Sequence, residues 1–353
     1  MNLDKFSEFD NHELVAFFND RRSGLRSVVA VHNTNLGPAT GGTRYYSYAR
    51  DADALRDALR LSRAMTYKCA LAGVPYGGGK GVILADTRMP KNAALLRRYA
   101  EGINKLNGRF STGEDVGLTQ NDIEIMSRVS PHINGARGAG ELGPWAALGV
   151  FSAMQAALQE VFGSDEIRGR IFAIKGLGKV GWNLCRLLYE RGGEVIGADI
   201  NPRVLKSAQA AFPRMRIVSP AAIKRVKADV YSPCAMGGEF DMAAVKSLRA
   251  PVICGGANNQ LAQPSIAVQL HRCGIIYVPD YVANAGGLIN AVAERESGGY
   301  KPKSVDRKVR RIADVVRKIL STANRRSMPP GEVADRLARD IINRRREQRS
   351  LFV

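Results

Sequence analysis

The sequence predicts a two-domain α/β protein, and three observations lead there. At 353 residues and 45% hydrophobic composition, the chain is too long for one ordinary core and suits two domains of roughly 150 residues each. From Gly169 onward, short apolar runs alternate with helical segments, which is what a parallel sheet with crossover helices requires. A glycine-spaced turn, Gly176-Leu177-Gly178-Lys179-Val180-Gly181, joins one of those runs to a helical segment. The expected layout is an α/β domain over 1–140, a Rossmann-type doubly wound domain over 141–325, and a basic helix over 326–353 that returns to the first domain.

In the first domain, Leu25–Val31 and Thr43–Tyr48 read as strands, with Gly41-Gly42 before the second. Asp51 reads as the cap of a helix that carries Ala54, Ala58, Leu61 and Met65 on one face and ends near Gly73. Lys68 continues that face, where a lysine costs free energy unless it is paired or used. Gly77-Gly78-Gly79-Lys80 then precedes a short apolar strand, Val82–Leu84. The run is no phosphate loop, because Val74 stands where such a loop needs glycine and Gly81 where it needs Ser or Thr. Pro90 opens a helix closing near Gly108, Thr119 caps another, and the aperiodic stretch from Pro131 to Pro144 reads as a crossing between domains.

In the second domain the apolar runs are Ile171–Ile174, Val195–Ala198, Val252–Cys254 and Ile275–Val278. Gly176 permits a tight turn after the first run, Gly178 lets a pyrophosphate approach the backbone, and Gly181 lets helix and strand pack closely. Asp199 ends the next run, about 20 residues on, where a carboxylate accepts ribose hydroxyls and repels a 2′-phosphate. NAD is therefore expected over NADP, although Arg203 nearby offers a phosphate partner.

Composition narrows the remaining classes. Met1–Asp10 lacks the basic and apolar pattern of a signal peptide, and no apolar run approaches the roughly 20 residues of a membrane span, so a cytoplasmic protein is expected. Cys69, Cys185, Cys234, Cys254 and Cys273 form no C-x-x-C pair, and His12, His32, His132 and His271 show no ligand spacing; neither disulfides nor a metal are expected. About half of the net charge of +19 lies beyond Lys301, where a solvated helix face is favoured over nucleic-acid binding.

Six ordered motifs resemble the leucine/phenylalanine/valine dehydrogenases, which share ancestry and fold with the glutamate dehydrogenases. They are Gly41–Arg44, Met65–Lys68, Gly77–Lys80, Gly113–Gly117, Ala257–Leu261 and Asp280–Gly287. The resemblance implies reversible oxidative deamination: an L-amino acid, NAD and water give a 2-oxo acid, NADH and ammonia. It implies a first domain that binds substrate and assembles as a homo-oligomer, with a cleft between it and the NAD domain. It puts Lys68 on the substrate carboxylate. Lys80 becomes the general base toward water, its neutral form favoured by burial and by the second cation at Lys68. Asp115 exchanges protons with the amino group, and the Gly42 backbone with Asn258 and Asn284 completes the contacts.

The same resemblance gives Thr40, Gly113, Leu288 and Ala291 as the side-chain pocket. The cofactor set is Gly176, Gly178, Lys179, Val180, Gly181, Asp199, Ile200, Cys234, Ala235, Ala257, Asn258 and Asn284. Ala139–Ala146 departs from the family, with Ala146 replacing a threonine expected on the nicotinamide carboxamide, a loss of about 1 kcal/mol. Thr40 and Gly113 stand where branched-chain enzymes carry an aliphatic residue and alanine, which implies a roomier, more polar pocket. No cation is available there for a γ-carboxylate. The expected substrate is a neutral amino acid, branched-chain, aromatic or small polar. The alternatives are an unusual amino acid of a biosynthetic pathway and a basic nucleic-acid-binding protein on a dehydrogenase scaffold.

Overall fold

Val29 and Val31 point to one side of a strand and Val28 and Ala30 to the other, so the strand is buried on both faces and lies inside a sheet. The computed structural model describes residues 3–86, 90–135, 140–296 and 299–350. One unit comprises Met1–Gly140 with Ala338–Val353, and the other Glu141–Leu337.

The first unit holds β1 (Leu14–Asp20), β2 (Leu25–Asn33), β3 (Ala39–Tyr46), β4 (Gly77–Leu84) and β5 (Phe110–Glu114), in the sheet order β1-β2-β4-β3-β5. Strand β3 runs parallel to β4 and β5, and the other pairs are antiparallel. Helix α1 (Asp51–Ala72) covers Val28, Ala30 and Val82 on one face, while α2 (Ala93–Lys105) and α3 (Gln120–Ser127) cover Val29, Val31, Ile83 and Phe110 on the other.

Several expected boundaries move, for identifiable reasons. The run Gly77–Lys80 is buried strand, and Gly41-Gly42 lies inside β3. A Cβ on Gly78 would lie 2.1 Å from Thr66 N, and one on Gly79 2.4 Å from the Phe110 ring, so only bare backbone fits. Arg50, not Asp51, occupies the α1 cap. The buried face of α1 includes the expected Ala54, Ala58 and Leu61 and widens to Leu55, Leu59, Ser62, Thr66 and Cys69, while Met65 and Lys68 are half-buried at its edge. Asn92, rather than Pro90, caps α2 by accepting from Leu95 N–H. Thr119 caps α3 as expected, in a reciprocal pair with Asp122.

The second unit holds β6 (Ile171–Lys175), β7 (Glu194–Ala198), β8 (Arg216–Ile217), β9 (Val230–Pro233), β10 (Val252–Ile253) and β11 (Ile276–Tyr277). All pairs are parallel, in the order β11-β10-β9-β6-β7-β8, which is the 3-2-1-4-5-6 order of a Rossmann-like sheet. Its helices are α4 (Leu142–Phe162), α5 (Lys179–Tyr189), α6 (Pro202–Ala211), α7 (Met242–Ser247), α8 (Ser265–Arg272), α9 (Asp280–Ala283), α10 (Gly286–Ala293), α11 (Pro302–Arg310) and α12 (Ile312–Arg326). The last helix, α13 (Pro330–Ser350), crosses the boundary at Leu337. Helix α4 packs on α5, α10, α11 and α12. Pro144 and Ala146 therefore sit in its first turn rather than in a crossing; Ala139 lies outside the described residues. Among the described residues no helix is long and apolar enough to cross a membrane.

Two polar positions on the buried stripe of α1 serve histidines. Ser62 Oγ lies 3.0 Å from His12 Nε2, and Thr66 Oγ1 lies 2.8 Å from His32 Nδ1. Burial, reinforced by His12, pushes His32 from its ordinary 6.5 down to about 4, against the pull of Asp10; Arg63 adds to the lowering. Between those values the unfolded chain binds a proton that the folded protein refuses, so stability falls as pH drops from 6.5 toward 4. The His32→Asn variant should show a shallower decline of melting temperature across that window. Parallel pH profiles for variant and parent would count against this assignment.

Candidate active site

The side of the sheet on which α1 packs is set by strand register. Thr40 pairs with both Gly78 and Ser111, and Gly42 with Gly113. With a side-chain period of two, Thr40, Gly42 and Arg44 share one face with Gly78, Lys80, Ser111 and Gly113. Asp115 follows two residues after Gly113. Glycine at 42 admits it, since a Cβ there would stand 2.8 Å from Asp115 Cβ.

Lys80 is buried, and its Nζ donates to Asp115 Oδ2. Arg44 Nε lies 3.6 Å from the same carboxylate oxygen while Arg44 Nη1 bonds Asp57 Oδ2 at 2.7 Å. Burial raises the Asp115 carboxyl, but Lys80, Arg44 and the Val116 N–H outweigh it and hold the group below its ordinary value. Asp115 is therefore an ionised acceptor between two cations. Lys68 stands on α1 one turn beyond Met65, whose Cγ lies 3.6 Å from where a Gly41 Cβ would be. Arg44 was not singled out by sequence reasoning. The available signal was its period-two spacing from Thr40 and Gly42.

In the second unit, three glycines of one motif have three different causes. Gly176 has φ of +93°, and a side chain on it would strike Ala235. A Cβ on Gly181 would lie 1.9 Å from Gly176 O, so α5 touches the turn directly. At Gly178 no described residue lies within 4 Å of where a Cβ would be and the backbone is extended, so none of the described residues excludes a side chain there. Gly178 also caps α5 without a side-chain acceptor, with Lys179 and Val180 in the first turn, and this leaves N–H groups directed outward for an anion. The residues fit a dinucleotide pyrophosphate.

The other cofactor candidates gather at the carboxyl ends of the parallel strands, around the switch point between β6 and β9. Asp199 follows β7 and accepts from Leu177 N–H at 2.7 Å and Asn201 N–H at 2.8 Å, so it also braces the glycine turn. Ile200 is 89% exposed, and Met236, beyond Cys234 and Ala235, is 80% exposed. Arg203 is exposed in the first turn of α6. Ala257 and Asn258 follow β10, and Asn284 Nδ2 donates to Asn258 Oδ1 at 2.8 Å and Gly256 O at 3.2 Å. Leu288 and Ala291 form the half-buried edge of α10. That helix is seated on α4 by backbone contact, since a Cβ on Gly286 would lie 2.0 Å from Trp145 O.

Comparison with known proteins accounts for both units together. Residues 12–131 match the family model described as Glu/Leu/Phe/Val dehydrogenase, dimerisation domain, and residues 200–349 match that of Glutamate/Leucine/Phenylalanine/Valine dehydrogenase. Leucine dehydrogenase of Geobacillus stearothermophilus is 42% identical over 357 residues, covering 100% of this chain and 96% of that protein. The crystal structure of L-tryptophan dehydrogenase from Nostoc punctiforme superposes with a TM-score of 0.84 at 37% identity, over 98% of each chain. The hetero-hexameric glutamate dehydrogenase of Thermus thermophilus shares the fold, with a TM-score of 0.75 at 24% identity over 95% of this chain and 88% of that one. The sheet orders, the glycine turn and these full-length matches agree that the chain is an amino-acid dehydrogenase belonging to the Glu/Leu/Phe/Val dehydrogenase family.

Proposed function

We propose that this enzyme oxidatively deaminates a neutral L-amino acid with NAD, reversibly, as a symmetric homo-oligomer. The observation that carries the reading is the Lys80–Asp115 pair on a glycine-lined strand face. The Lys68 ammonium holds the substrate α-carboxylate and fixes the orientation of Cα. Asp115, an ionised carboxylate, accepts a proton from the substrate ammonium and frees the nitrogen lone pair. Bound NAD supplies the hydride acceptor for Cα. Lys80, once its own proton has passed to solvent, takes a proton from the water that attacks the iminium carbon. Asp115 returns its proton to the carbinolamine nitrogen, ammonia leaves, and the hydroxyl proton is released as the 2-oxo acid forms. The hydrogen bond between Lys80 Nζ and Asp115 gives the two groups a shared proton path.

NAD is favoured over NADP because the Asp199 carboxylate repels a 2′-phosphate. Gly178 supports a dinucleotide because none of the described residues gives its open side a structural cause. Substrates considered are branched-chain, aromatic and small polar amino acids, in keeping with relatives named for leucine, phenylalanine, valine and tryptophan.

In a spectrophotometric screen of L-amino acids, NADH should form with at least one, and Lys80→Ala should lower kcat by about 10³-fold on it. No NADH with any amino acid, and no NADH consumed with 2-oxo acids plus ammonia, would overturn the proposal. Asp199→Asn keeps an acceptor for the turn but loses the charge, so the NADP/NAD ratio of kcat/KM should rise by about tenfold; an unchanged ratio rejects Asp199 as the discriminator. Gly178→Ala should unfold within about 1 kcal/mol of the parent yet bind NAD more weakly by calorimetry. Equal NAD affinity in the two proteins would remove the pyrophosphate from this turn.

A further inference from the structure

Three residues on the Lys80 face form a polar cluster that the deamination chemistry does not use. Thr40 of β3 and Ser111 of β5 are register partners, each 3% exposed. Ser111 Oγ donates to Thr40 Oγ1 at 3.4 Å, and Asn134 Nδ2 donates to Thr40 Oγ1 at 3.4 Å and to Ser111 Oγ at 3.3 Å. Asn134 is tied to the sheet through its own N–H, which donates to Thr112 O. These side-chain bonds lie beyond the usual range for good geometry, and Asn134 Oδ1 is buried with no hydrogen-bond partner among the described residues. Turning the carboxamide over only exchanges which of its ends is left over. The cluster is thus under-satisfied, and all its groups are neutral.

Its place on the strands fixes what reaches it. Thr40 and Ser111 precede Gly42 and Gly113 by two residues on the same face, a step of roughly 6.6 Å from the row that carries Lys80. A side chain running back along β3 from a Cα beside Lys80 meets the cluster with its far end. A methyl or phenyl end there leaves two hydroxyls and an amide under-satisfied and returns no hydrogen bond. An amide or hydroxyl end restores bonds, while a carboxylate finds no cation within the cluster.

We propose that Thr40, Ser111 and Asn134 make this dehydrogenase select neutral amino acids whose side chain ends in a hydrogen-bonding group, an amide or a hydroxyl, over apolar isosteres. The inference rests on the deamination reading and deepens it. Sites built to hydrogen-bond a substrate reject analogues lacking the group far more strongly than apolar pockets reject an added one.

The test compares kcat/KM with NAD for three near-isosteric pairs: asparagine with leucine, glutamine with methionine, and tyrosine with phenylalanine. The polar member should win at least one pair by about tenfold or more. Thr40→Val, which keeps the shape, and the double variant with Ser111→Ala should reduce that preference to below about threefold, while Thr40→Ser retains it. A smaller preference in every pair, or one that survives Thr40→Val and the double variant, overturns the selectivity assignment. In that case oxidation of the apolar members leaves the deamination reading standing. Failure of all six amino acids also overturns the selectivity assignment, and the deamination reading falls with it only when no other L-amino acid yields NADH and no 2-oxo acid with ammonia consumes it.

Discussion

A lysine ammonium buried on the central strand of a sheet must be neutralised, and the arrangement of the first unit follows from that constraint. An isolated charge in such a place costs far more than a small protein domain has in reserve, so Asp115 has to stand within hydrogen-bond reach of Lys80. Asp115 can stand there because Gly42 presents no side chain to it. Strand β4 can be that central because Gly78 and Gly79 let α1 and Phe110 close on it from opposite sides. Arg44 supplies a second cation beside the carboxylate, which keeps Asp115 ionised despite its burial. The chemistry and the packing are therefore one problem with one solution.

The second unit solves a different problem with the same residue type. Gly176 answers a backbone angle, Gly181 a contact between helix and turn, and Gly178 nothing among the described residues. Helix α10, which bears Leu288 and Ala291, is located by the backbone contacts of Gly149 and Gly286 with α4 and α9. Bare backbone against bare backbone leaves little freedom to slide, because protein interiors pack to crystal density.

Much of the fold was legible. Valine-rich β2, the short apolar strands of the second unit and the glycine turn between β6 and α5 all carry strong local signals. The glycine strand β4 was not, because a residue without a side chain has no hydrophobic period, and its causes, Thr66, Phe110 and Tyr99, lie elsewhere in the sequence. The inner face of α1 was read too narrowly for a related reason: beside the expected Ala54, Ala58 and Leu61, the polar Ser62 and Thr66 are buried to serve His12 and His32. Strands β8 and β9 are too short or too polar to announce themselves. Within the candidate site, Lys80 and Asp115 stood in recognisable motifs. Arg44 closes the motif Gly41–Arg44 without its charge being read, and Ser111 and Asn134 entered only through strand register and hydrogen bonding, which motifs do not encode.

The strand order β1-β2-β4-β3-β5 has an evolutionary side as well. Lys80 rides on the middle strand, whereas Thr40 and Ser111 belong to the parallel pair at the margin, with Asn134 hydrogen-bonded beside them. Under the proposed roles, a lineage drifting toward a new amino acid can rewrite Thr40, Ser111 or Asn134 one residue at a time while Lys80 and Asp115 are inherited untouched. Diversity of diet and constancy of chemistry then follow from alternate rows of one strand face being free to change independently.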